Sequence, residues 1–96
     1  MPHYIALIHK ESDSSYGVSF PDVPGVIAAG DTIDEALQRA VEALEFAADD
    51  WREYAGRPFP PARTIDELRG SAAFREDSAD AVVAAIPLRA KAEAAE

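Results

Sequence analysis

The side chains that could do chemistry in this chain are few. They are two histidines, a set of carboxylates before Gln38, and serines in one polar turn. His3 and His9 have equal parity on an extended segment, so they share a face. At strand rise they stand about 20 Å apart and cannot hold one metal ion. Ser12, Ser14 and Ser15 lack the strand-turn-helix context that exposes a nucleophilic serine. No Gly-x-Gly-x-x-Gly, no phosphate-binding Gly-x-x-x-x-Gly-Lys and no His-Glu-x-x-His occurs. Two-metal hydrolysis needs several carboxylates converging on the ions. The acids nearest to such a role, Asp22 and Asp31, both fall in loops. No catalytic residue, metal or cofactor is therefore expected. Trp51 and Tyr54 could stack on a base or a partner, but on a helical stripe they serve first as core or as an oligomer contact.

The elements that must position these residues follow from apolar periodicity. Residues 4–9 are apolar at both parities, which predicts a strand covered on both faces. After a polar turn, Tyr16, Val18 and Phe20 alternate with Gly17 and Ser19, a half-buried strand that closes a hairpin. Pro21-Asp22-Val23-Pro24-Gly25 breaks the ladder, because neither proline can donate a hydrogen bond. Residues 26–29 predict a short third strand. Thr32 with Glu35 three residues later forms a capping box, and Asp34 and Glu35 suit the positive end of a helix dipole. The helix stripe runs Ile33, Leu37, Val41, Leu44, Ala48, Trp51, widened by Ala36, Ala40, Ala43 and Ala47. It should end near residues 54–55, capped by Gly56. Thr64-Ile65-Asp66-Glu67 repeats the capping box and starts a second, short helix. Residues 81–86 predict a fourth strand ended at Pro87, and residues 88–96 a helix-favouring tail. The fold class is α+β in the order β-β-β-α-β. A three-stranded antiparallel meander plus a fourth strand carries one long helix packed on one side. Residues 1–87 make up the domain.

Charge narrows the partners. The 96 residues hold 18 Asp and Glu against nine Lys and Arg, a formal net charge of -9. That length accommodates one domain. The acidic balance argues against a nucleic-acid surface, which needs clustered cations. With no cysteine there is no disulfide or thiolate chemistry. No apolar run approaches the ~20 residues of a membrane span. Met-Pro-His-Tyr lacks the layout of a signal peptide, and the expected compartment is the cytoplasm. From Glu11 to Gln38 there is no Lys or Arg. This is either a solvated acidic face or a docking surface for something cationic. Elsewhere the arginines are spread singly among acids, the pattern of a solvated surface.

The stretch Tyr16-Gly17-Val18-Ser19-Phe20-Pro21-Asp22-Val23-Pro24-Gly25, then Ala29-Gly30-Asp31-Thr32, then Asp34-Glu35-Ala36 on a helix running to Trp51, resembles the HicB family of antitoxins. The resemblance covers residues 3–55 well and the rest more loosely. It implies a degraded RNase H-like fold without catalytic activity. Residues 4–9 fit that picture, since the first strand carries no carboxylate where such a nuclease has its first. It also implies a HicA-type toxin as partner, a small basic mRNA-cleaving ribonuclease whose active-site region the antitoxin covers. The residues expected to meet that partner are Asp22, Pro24, Gly25, Asp31, Asp34 and Glu35. Many members carry a DNA-binding element at the C-terminus. After Pro87 only nine residues remain, with Arg89 and Lys91 the only cations, so these 96 residues are expected to make no direct nucleic-acid contact. A sheet edge to hide and a Trp-bearing helix predict a homodimer or homotetramer, with the fourth strand a candidate for pairing. The competing readings are a metal-dependent RNase H-like nuclease built on Asp22, Asp31 and another acid, and a stand-alone oligomeric scaffold.

Overall fold

The computed structural model describes residues 2–10, 15–54 and 59–89, and of residues 52–54 the backbone alone. Strands β1 (His3–Lys10), β2 (Tyr16–Ser19), β3 (Ile27–Gly30) and β4 (Val82–Pro87) form one antiparallel sheet in the order β3-β2-β1-β4. Helices α1 (Ile33–Tyr54), α2 (Ile65–Arg69) and α3 (Ala72–Asp77) lie between β3 and β4 in the chain. The α+β class and the four strands agree with the sequence. β3 begins one residue later than expected, because the Val26 N–H closes a turn onto the Val23 carbonyl at 3.2 Å.

β1 is buried on both faces, as its unbroken apolar run predicts. Tyr4, Ala6 and Ile8 join Val18, Phe20, Val23 and Ile86 in the core under α1. Leu7 joins Leu68 and Phe74 in a second core, with Ile5 and Ile65 packed against it. The one-sided helix layer expected from the sequence is therefore corrected: α2 and α3 cover the other face of the sheet. α3 is a six-residue helix with one buried apolar residue, Phe74, too short for periodicity to announce it. Its one local signal is Ser71, whose hydroxyl caps the helix by accepting from the Phe74 N–H at 3.3 Å.

The face of α1 also differs from the expected stripe. Ala36, Ala40 and Leu44 are completely buried, while Ile33 is 38% exposed. Leu37 and Val41 flank the core rather than centre it. A small residue stands at position 36 because the first turn of the helix comes close to the sheet at Gly30. A Cβ placed there would stand 2.5 Å from the backbone N of Ala36. α1 is described as far as Tyr54. The Gly56 cap, the turn at residues 11–14 and the tail from residue 90 lie outside the described residues. Leu88 still continues the sheet pattern by donating its N–H to the Pro2 carbonyl at 2.9 Å. Arg89 then crosses to α1 and binds both carboxylate oxygens of Glu45.

Gly30→Ala should push α1 off the sheet and lower stability by about 1–3 kcal/mol, the usual cost of overpacking. Chemical denaturation measures it; an unchanged midpoint would contradict the close approach.

Candidate partner-docking surface

The expected partner residues sort into two groups at opposite ends of β3. One is the turn from Pro21 to Gly25. The Val23 N–H binds the Phe20 carbonyl at 3.2 Å, and the Val23 side chain is buried beneath the turn. Gly25 has φ +97°, a left-handed conformation costly for other residues. Pro24 and Gly25 are exposed at the tip. The other group is the β3–α1 junction, where the Asp31 N–H donates to Glu35 Oε1 at 2.7 Å and the Glu35 N–H to Thr32 Oγ1 at 3.0 Å. This is the predicted capping box with one change: Glu35 reaches back to the residue before the cap. The four residues of β3 separate the groups by about 13 Å.

Asp22 is turned inward. Its side chain is 5% exposed, and its carboxylate is held by Arg63. The Arg63 backbone N–H donates to Oδ2 at 2.7 Å and Nε to Oδ1 at 2.6 Å. The clamp fastens the Pro-Gly turn to the segment leading into α2, where Thr64 and Glu67 form a complete capping box. The same segment is tied to β1, because the Tyr4 hydroxyl donates to the Pro60 carbonyl. Phe59 packs edge-on against both Tyr4 and Trp51, with centroids at 5.7 and 5.8 Å. Trp51 is thus committed to an internal aromatic cluster. The side chain of Tyr54 lies outside the described residues.

Glu35 is also internal in role. Besides capping, its Oε2 binds Arg39 Nη2 at 3.0 Å, and Arg39 Nη1 donates to the Ala29 carbonyl at 3.3 Å. Arginines from outside the cation-free stretch, Arg39 and Arg63, therefore neutralise two of its acids. Asp31 and Asp34 stay exposed. Between the groups stands Ile27, 72% exposed, which no sequence reasoning singled out. Its parity was readable from the strand, but the bareness of that face was not. Ile27 and Ala29 border a groove of about 290 Å³ on the face opposite α1. It shares His9 and Ser19 with a second groove of about 340 Å³ that runs to Phe74 and Asp77. His9 Nε2 lies 3.0 Å from the Asp77 carbonyl, so the imidazole joins β1 to the end of α3. Among the described residues no three His, Cys, Asp or Glu side chains could hold a metal ion.

Two expectations follow. Asp22→Ala should cost about 1–3 kcal/mol, the range for losing hydrogen bonds to a charged group, and thermal melting would read it. Burial, and secondarily the Asp22 charge, push the Tyr4 phenol above its usual 10.0. A raised pKa makes the folded state hold the proton longer. Its stabilisation is complete below pH 10 and falls as pH climbs through the folded value. Tyr4→Phe should remove that alkaline slope from a stability-against-pH curve, and an unchanged slope would contradict the assignment.

Comparison with known proteins bears on this surface. The family model for the HicB-like antitoxin of bacterial toxin-antitoxin systems matches residues 4–94. The chain is 42% identical over 41 residues, 43% of its length, to Antitoxin HicB 1 of Photorhabdus laumondii. It spans only 26% and 32% of two curated relatives it matches. Its fold resembles the N-terminal domain of the Burkholderia pseudomallei antitoxin HicB, with a TM-score of 0.75 and 30% identity over 92% of this chain and 99% of that one. A HicA3 and HicB3 toxin-antitoxin complex contains a chain of the same fold, with a TM-score of 0.71 and 20% identity over 92% of this chain and 99% of that one. With nearly the whole sequence matched, this chain belongs to the HicB-like antitoxins of bacterial toxin-antitoxin systems.

Proposed function

We propose that the chain neutralises a small basic HicA-type mRNA-cleaving toxin in the cytoplasm, by covering the toxin's active-site region through protein–protein contact and without catalysis of its own. The family match across residues 4–94 carries this reading. The HicA3–HicB3 neighbour adds that a chain of this fold occurs in a complex with a toxin. Charge supports it, because a protein of formal net charge -9 steers a cationic partner towards itself. On this reading the sheet is a degraded RNase H-like fold, and the chain acts as a homodimer or homotetramer.

The contact surface is the ridge along β3. Pro24 and Gly25 form one end, Ile27 the middle, and Asp31 and Asp34 the other end. Asp22 and Glu35 hold the two ends in place from inside. Rigid ends suit this task, since a loop already fixed loses little entropy on docking. A nuclease built on Asp22 and Asp31 gains nothing from the geometry: Asp22 is locked to Arg63, and β3 separates it from Asp31.

The test is co-expression with a HicA-type toxin, scored by growth rescue and by pull-down. The wild type should rescue. A double Asp31→Lys, Asp34→Lys variant should fold normally yet bind about 10-fold or more weakly, with most of the loss in association rate and a flattened salt dependence. Wild-type failure to bind the toxin better than an unrelated acidic protein does would end the reading. An unaffected double variant would move the contact off β3.

A further inference from the structure

The two edges of the sheet are managed differently. An edge strand exposes unpaired backbone N–H and C=O groups, and proteins shield such edges with charged side chains, bulges or cover. β3 is four residues long, and the Arg39 guanidinium, itself held by Glu35, occupies the Ala29 carbonyl. β4 is six residues long, Val-Val-Ala-Ala-Ile-Pro, and carries no charged side chain. Among the described residues only β1 pairs with it, so its outer edge has no strand beside it. Val82 is 53% exposed and Val83 42%. Ladder partners place them on opposite faces: Val82 opposite Ile8 on the α1 side, Val83 opposite Leu7 on the other.

We infer that the outer edge of β4 pairs antiparallel with the same strand of a second copy of this chain. The inference rests on the self-association proposed above and assigns its surface. Charge selects this occupant. A basic partner is drawn to acids, and residues 81–88 contain none. Two copies of net charge -9 repel elsewhere, so they can meet closely only where local charge is lowest. Strand direction is selected too. Asp80 stands two residues before β4 and Arg89 two residues after it. A two-fold axis through the strand's middle sets the Asp80 end of each copy beside the Arg89 end of the other, whereas parallel pairing would align like ends with like. The product joins two four-stranded sheets into one continuous sheet with no β4 edge, an isologous and closed arrangement.

Light scattering coupled to size exclusion on the full chain, at tens of micromolar, should show a dimer or a dimer of dimers. Val83→Lys and Ala85→Lys, each at an exposed position, should weaken that dimer about 10-fold or more by placing like charges across the two-fold. Phe46→Lys, at a 73% exposed site on the outer face of α1, should leave it intact. Amide exchange supplies a readout that needs no substitution: protection of residues 82–87 should rise with protein concentration. A monomeric wild type would overturn both the inference and the proposed self-association. A dimer unmoved by both lysine variants, or without concentration-dependent protection of β4, would overturn the inference alone. Toxin neutralisation by the lysine variants is read separately, so failure of the antitoxin reading stays distinguishable.

Discussion

The fold depends on one constraint: β1 is apolar at both parities and must be covered on two faces and at two edges. A 96-residue chain has little material for this. β2 and β4 take the edges, α1 takes one face, and α2 with α3 takes the other. The chain must therefore pass from the α1 layer across to the far face between residues 59 and 64. The polar contacts of the structure concentrate on that crossing. Tyr4 holds the Pro60 carbonyl, Asp22 holds Arg63, and Thr64 with Glu67 opens α2. A single surface ion pair contributes little. Here one partner is nearly buried and also accepts a backbone N–H, so the contact fixes a route and not merely a charge.

Local chemistry was legible in the sequence and tertiary chemistry was not. The β1 run, the alternation of Tyr16, Val18 and Phe20, and both Thr-x-x-Glu boxes are determined within a few residues, and each appears where the pattern places it. The partner of Asp22 lies 41 residues away, and nothing in either segment marks the pairing. The α1 stripe misled for a physical reason. A hydropathy pattern ranks Ile33 and Leu37 above Ala36 and Ala40, but the face turned to the sheet runs Ala36, Ala40, Leu44, with the first turn drawn close at Gly30. Interhelical and helix–sheet distance is set by the partner surface, which a one-dimensional pattern does not contain.

Linear charge was the least faithful guide to the site. The cation-free stretch before Arg39 suggested a uniform acidic face. In three dimensions Arg63 and Arg39 enter it from later in the chain and engage Asp22 and Glu35. The surface that remains is a mixed one: an exposed Ile27 between a Pro-Gly tip and two outward aspartates. Such a surface resembles the anatomy of protein interfaces generally, where apolar centres supply affinity and charged rims supply steering.

The unequal edges then acquire a common explanation. On the two proposals above, a chain with this excess of acid faces two different association problems, one with a cation and one with itself. Long-range attraction brings the first partner to any acidic region, and screening over a Debye length of about 8 Å leaves the final choice to local groups. Like-charged copies instead must approach through a neutral window. In the dimer inferred above β4 is that window, and among the described residues nothing but β1 pairs with it. One carbonyl of β3, that of Ala29, is occupied by Arg39, whereas β4 carries no charged side chain. The two edges of one sheet are in this way suited to different occupants, and neither arrangement obstructs the other, because β2 and β1 lie between them.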